Sequence, residues 1–91
     1  MVRPKLCRRL HFRPKANYFK PRGVPVCELA EVVLTKEEME AIKLKDSDGL
    51  DQIEAAEKMN TSQSTFQRIL FSARTKIADA IVQGKALKIE E

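Results

Sequence analysis

Tryptophan is absent from this chain, and a single tyrosine, Tyr18, accompanies four phenylalanines. So few aromatics make a poor stacking platform for unpaired bases, and no RNA-binding signature compensates for them. Histidine occurs once, at His11, and no nucleophile–base constellation forms around it. The three glycines, Gly23, Gly49 and Gly84, lie far apart, so there is no glycine-rich loop to cradle a phosphate. Glu54 and Glu57 have the spacing of helix-surface charge, not that of a catalytic carboxylate pair. We therefore expect no enzyme and no cofactor. Cysteine is scarce too: Cys7 and Cys27 suit reduced thiols packed as small apolar groups. With His11 they amount to three soft ligands without the paired spacing of a zinc knuckle, so no metal is expected unless a second copy completes a shared site.

Long apolar runs are also missing, which excludes a bilayer-spanning helix. The basic N-terminus is followed by no apolar stretch of the signal-peptide kind, so a cytoplasmic protein without membrane contact is expected. The first 27 residues contain no acid at all but eight bases: Arg3, Lys5, Arg8, Arg9, Arg13, Lys15, Lys20 and Arg22. Of 17 bases in the chain, nine are left to face all 13 acids. A one-sign block at one end points to a polyanion partner; a solvated tail is the plainer alternative.

All four prolines, Pro4, Pro14, Pro21 and Pro25, fall in that same stretch and exclude a long helix there. Residues 7–12 are apolar enough for a short strand. Tyr18 and Phe19 are expected to pin the segment to the helical core, with base stacking by Tyr18 as the functional alternative. Residues 28–33 read as a short helical turn.

Beyond this point helical signals dominate. Thr35 and Glu38 have capping-box spacing, and Leu34 and Met39 have staple spacing, so a helix should run over residues 35–45. Met39, Ala41, Ile42 and Leu44 lie on more than one of its sides, which calls for two partners, the later helices and the N-terminal segment. Asp46-Ser47-Asp48-Gly49 is a connecting loop. From Leu50 onward the pattern reads helix, tight turn, longer helix. Asp51 and Ser62 are placed to cap the two helices. Ala55 and Ala56 are small enough for a close crossing, and Asn60 tolerates the left-handed conformation that a turn needs. Phe66, Ile69, Leu70, Ala73, Ile77, Ala80 and Ile81 form one apolar stripe. Phe71, Thr75, Ala78 and Val82 form a second stripe opposite it, to be covered either by the N-terminal segment or by another subunit in a homodimer. Gly84 ends the helix, and residues 85–89 can form a terminal strand whose expected mate is the strand at residues 7–12.

The residues Cys7-Arg8-Arg9, Tyr18-Phe19-Lys20-Pro21, Glu31-Val32-Val33-Leu34-Thr35, Glu54-Ala55-Ala56-Glu57, Ser64-Thr65-Phe66-Gln67-Arg68-Ile69-Leu70 and Gly84-Lys85-Ala86 are similar to those of an uncharacterised family of small prokaryotic proteins predicted to bind DNA. The resemblance covers nearly the whole chain. Two positions depart from the pattern: Asn60 stands where a turn glycine is usual, and Thr61 where an apolar residue is usual. The resemblance implies a helix-turn-helix similar to region four of the sigma-70 class.

The expected fold is mainly α: a basic segment over residues 1–33, a helix-turn-helix domain over 34–83, and a strand or tail over 84–91, with short β pairing between the termini. The expected function is sequence-specific binding of double-stranded DNA in transcription regulation. Gln63, Ser64, Gln67 and Arg68 would read base edges, because they sit off the apolar stripe at the start of the longer helix. Thr65, Arg74, Lys76, Arg8 and Arg9 would contact phosphates. The rival is an adaptor that binds RNA polymerase or another regulator through a helical face, for which the acidic surface of residues 28–60 is suited. No small-molecule pocket is expected.

Overall fold

Proline and glycine keep the first regular element short. In the computed structural model, which describes residues 10–90, strand β1 is only Tyr18–Phe19. A 3-10 turn, Val26–Glu28, follows Pro25, whose fixed φ suits the start of a turn. Strand β2 then runs over Glu31–Leu34. The helical turn expected over residues 28–33 is thus confined to its first residue. The β-branched pair Val32 and Val33 goes extended instead, because a strand from the far end of the chain is there to receive it.

That strand is β3, Ala86–Ile89, and it lies in the middle of a three-stranded sheet. It runs antiparallel to β1, with Tyr18 opposite Lys88, and parallel to β2, with Leu34 opposite Ile89. The terminal strand forms where its sequence placed it, but with other mates. Residues 10–12 form no strand, and residues 7–9 lie outside the described part. A parallel pair needs a long crossover, and three helices between β2 and β3 provide it.

Helix α1 is Lys36–Ile42. The Thr35 hydroxyl accepts from the Glu38 N–H at 3.1 Å, and the Glu38 carboxylate accepts from the Thr35 N–H at 2.9 Å. The capping box is therefore closed. Leu34 and Met39 meet in one apolar cluster. The helix then widens into a π-type turn, Lys43–Ser47, and the chain leaves it through Gly49 at φ 79.

Helices α2, Gln52–Lys58, and α3, Gln63–Gln83, follow. Asp51 accepts from the Glu54 N–H at 2.8 Å and Ser62 from the Thr65 N–H at 3.1 Å, each satisfying an orphan donor of the first turn. Between the helices Asn60 adopts φ 57. Its N–H reaches the Glu57 carbonyl and the Thr61 N–H the Ala56 carbonyl, both at 3.0 Å. This paired closure depends on a left-handed residue at the helix end. At the other end of α3, Gly84 takes φ 69 and the Lys85 N–H bonds the Ala80 carbonyl at 2.9 Å.

The core has two parts. Ala41, Leu44, Ala55, Ala56, Met59, Phe66 and Leu70 bury themselves where α1, α2 and α3 meet. Leu34, Ala73 and Ile89, with Met39, Ile42, Ile77 and Leu87 against them, seal the sheet onto α1 and α3. Thus α1 is covered on two sides, as its apolar pattern required. The N-terminal segment touches it as well: the Phe12 N–H donates to buried Glu40 at 2.8 Å, and the Lys43 ammonium lies 5.7 Å from the Phe12 ring centre. Tyr18 and Phe19 join the sheet and so anchor the segment by backbone pairing; Phe19 remains half exposed. Ile81 does not share the burial of its stripe. It lines an open groove with Phe19, Pro21 and Leu87 and stays 75% exposed. Among the described residues, no helix is long and apolar enough to cross a membrane.

Candidate nucleic-acid interface

The start of α3 follows directly on the Asn60 turn. Ser64, Gln67 and Arg68 are all exposed there, and together with Phe71 they line one shallow surface depression. No described residue holds the Gln67 or Arg68 side chain by a hydrogen bond or ion pair. Ser64 stays within 3.4 Å of the Ser62 hydroxyl. The other expected base-reading residue, Gln63, is engaged: its amide donates to the Gln52 side chain at 3.1 Å and ties the starts of α2 and α3 together.

The expected phosphate contacts divide differently. Thr65 is half-buried, and its hydroxyl accepts from Ser62 at 2.9 Å, so it belongs to the cap. Arg74 forks onto Asp46 of the π-type turn through two hydrogen bonds, the Nε one at 3.0 Å. This bond raises the guanidinium's pKa and holds the Asp46 carboxyl below its ordinary value. The Lys76 ammonium bonds Glu38 and the Val33 carbonyl, each at 2.8 Å, and so ties α3 to α1 and β2. Arg8 and Arg9 lie outside the described residues.

Glu38 and Glu40 escaped sequence reasoning as buried groups, since a glutamate carries no local signal of burial. Phe71 was assigned to a separate stripe. Yet steps of four, three and four residues carry Ser64 to Arg68, Phe71 and Thr75 along one face, so the polar trio and the second stripe are a single continuous surface. Cys27 is exposed and not buried as expected. His11 is exposed too, Cys7 lies outside the described residues, and no group of three potential metal ligands exists among the described residues.

All of residues 1–91 match a family model described as a protein of unknown function, DUF134. A UPF0251 protein of Moorella thermoacetica is 57% identical over 90 residues, covering 99% of this chain and 60% of that protein. A UPF0251 protein of Desulforudis audaxviator is 52% identical over 90 residues, covering 99% and 59%. One from Dehalococcoides mccartyi is 56% identical over 90 residues, covering 99% and 77%. The chain belongs to this DUF134/UPF0251 family. It spans about 60% of the length of the first two relatives. No solved structure matches it.

Proposed function

We propose that the chain binds double-stranded DNA sequence-specifically and regulates transcription, with α2, the Asn60 turn and α3 acting as a helix-turn-helix of the sigma-70 region-four kind. The observation that carries this is the exposed trio Ser64, Gln67 and Arg68 at the leading end of α3, with the Gln67 and Arg68 side chains held by no described residue. Such a helix end fits the major groove, where serine, glutamine and arginine can meet base edges. The basic N-terminal segment supports the same reading, since phosphate attraction supplies sequence-independent affinity. The test is selection of preferred duplexes from random sequence, followed by Arg68→Ala. An arginine fork on guanine discriminates by about 1–3 kcal/mol. The variant should therefore lose preference between selected and scrambled duplexes while keeping its affinity for scrambled ones. Equal loss on both would show that Arg68 does not read bases.

A protein-interaction adaptor is the second reading. It draws on Ile81 and Val82, 75% and 76% exposed at the far end of α3, a density of apolar surface that suits a protein partner or a second copy of this chain. Wild-type protein that binds no duplex even at low salt would favour it.

A further inference from the structure

In a chain with 5% aromatic residues, leaving one phenylalanine ring 72% exposed calls for a reason. Phe71 is that ring, and no described residue covers it. Its surroundings are polar: Ser64, Gln67 and Arg68 share its depression. At 100° per residue it lies within about 20° of Ser64 around α3, and only about 4.5 Å beyond Arg68 along the axis. Val82 is about 16 Å further on. Phe71 thus shares one face with both, but lies nearer to the polar trio than to the apolar far end of the helix. In the major groove, thymine alone presents a methyl group, and phenylalanine is one of the side chains that meets it by apolar contact.

We infer that Phe71 is a specificity-determining residue: its ring packs on the C5 methyl of a thymine adjacent to the base that Arg68 reads. This rests on the DNA-binding reading above and adds to it a base preference that no polar residue of the trio supplies. The site would therefore contain a thymine whose methyl, and not its pairing edge, is sensed.

Replacing each thymine of a selected duplex singly by deoxyuridine removes only that methyl. One such replacement should weaken wild-type binding about fourfold, the equivalent of one buried methyl group. Phe71→Ala should bind the thymine and uracil duplexes alike, and Phe71→Leu should keep part of the preference. Circular dichroism of each variant checks that α3 remains folded. Specific wild-type binding with no thymine preference, or a preference that survives in Phe71→Ala, overturns the inference and leaves DNA binding standing. Phe71→Ala that converts a sedimenting dimer to monomer with its methyl preference intact also overturns it, placing the ring in a subunit interface. Absence of any specific duplex overturns both.

Discussion

A single buried carboxylate ties three elements together. Glu38, 6% exposed, accepts from the Thr35 N–H at 2.9 Å, from the Lys76 ammonium at 2.8 Å and from the Ser72 hydroxyl. Burial alone would raise its pKa, but Lys76, Ser72 and the Thr35 N–H outweigh that and hold it below the ordinary glutamate value. A folded-state pKa below the unfolded one means that the group adds stability above the unfolded value, about 4.3. That stability is lost as pH falls through the folded value. Melting temperature should therefore drop in acid below about pH 4, and Glu38→Ala should flatten that drop. Glu38→Ala should also cost about 2–3 kcal/mol in urea unfolding near neutral pH, because it strands three donors. A variant as stable as wild type would remove Glu38 from the framework. Only part of this was legible beforehand. The spacing of Thr35 and Glu38 announces a capping box, but Ser72 and Lys76 are 34 and 38 residues away. Charge type alone suggested a phosphate contact for Lys76; its bonds to Glu38 and Val33, which the structure adds, were not legible.

The turn between α2 and α3 sets how the leading end of α3 is presented. It depends on Asn60 at φ 57, a conformation that costs most residues about 1–2 kcal/mol and β-branched ones more. Asn60→Val should lower unfolding free energy by about 2 kcal/mol, whereas Asn60→Gly should remain within about 1 kcal/mol of wild type. If the valine variant unfolded at the same urea concentration as wild type, the left-handed turn would not be what positions α3. Elements whose signals are local could be read from sequence: Asp51, Ser62 and Gly84 mark helix ends by their own chemistry. The sheet could not be read so well. β2 is only four residues long, and its pairing with β3 spans more than fifty residues, a distance at which no local pattern names a partner. For the same reason the mate of the terminal strand was placed at residues 7–12 instead of Tyr18–Phe19 and Glu31–Leu34.

At the scale of the molecule, residues 1–27, with their eight bases, have a structural job and, on the proposed function, an electrostatic one that can be tested separately. Part of this segment is structural. Phe12 satisfies buried Glu40, the Asn17 carbonyl accepts from the Ile89 N–H at 2.8 Å, and β1 pairs with β3. Deleting residues 1–27 should therefore lower the melting temperature, since it bares one side of the central strand and strands the Glu40 carboxylate. It should also weaken duplex binding, but that loss alone could come from instability. Arg8→Ala and Arg9→Ala in the untruncated chain test for an electrostatic role. Each should weaken preferred and scrambled duplexes alike and reduce the slope of log affinity against log salt by about one per lost phosphate contact. A truncated protein that melts like the full chain would make the segment a loose arm. Arginine variants with an unchanged salt slope would make it a lid that never touches DNA. A lowered melting point on truncation, combined with a shallower slope in the point variants, is the outcome expected of a segment that is folded onto the core and still faces a polyanion.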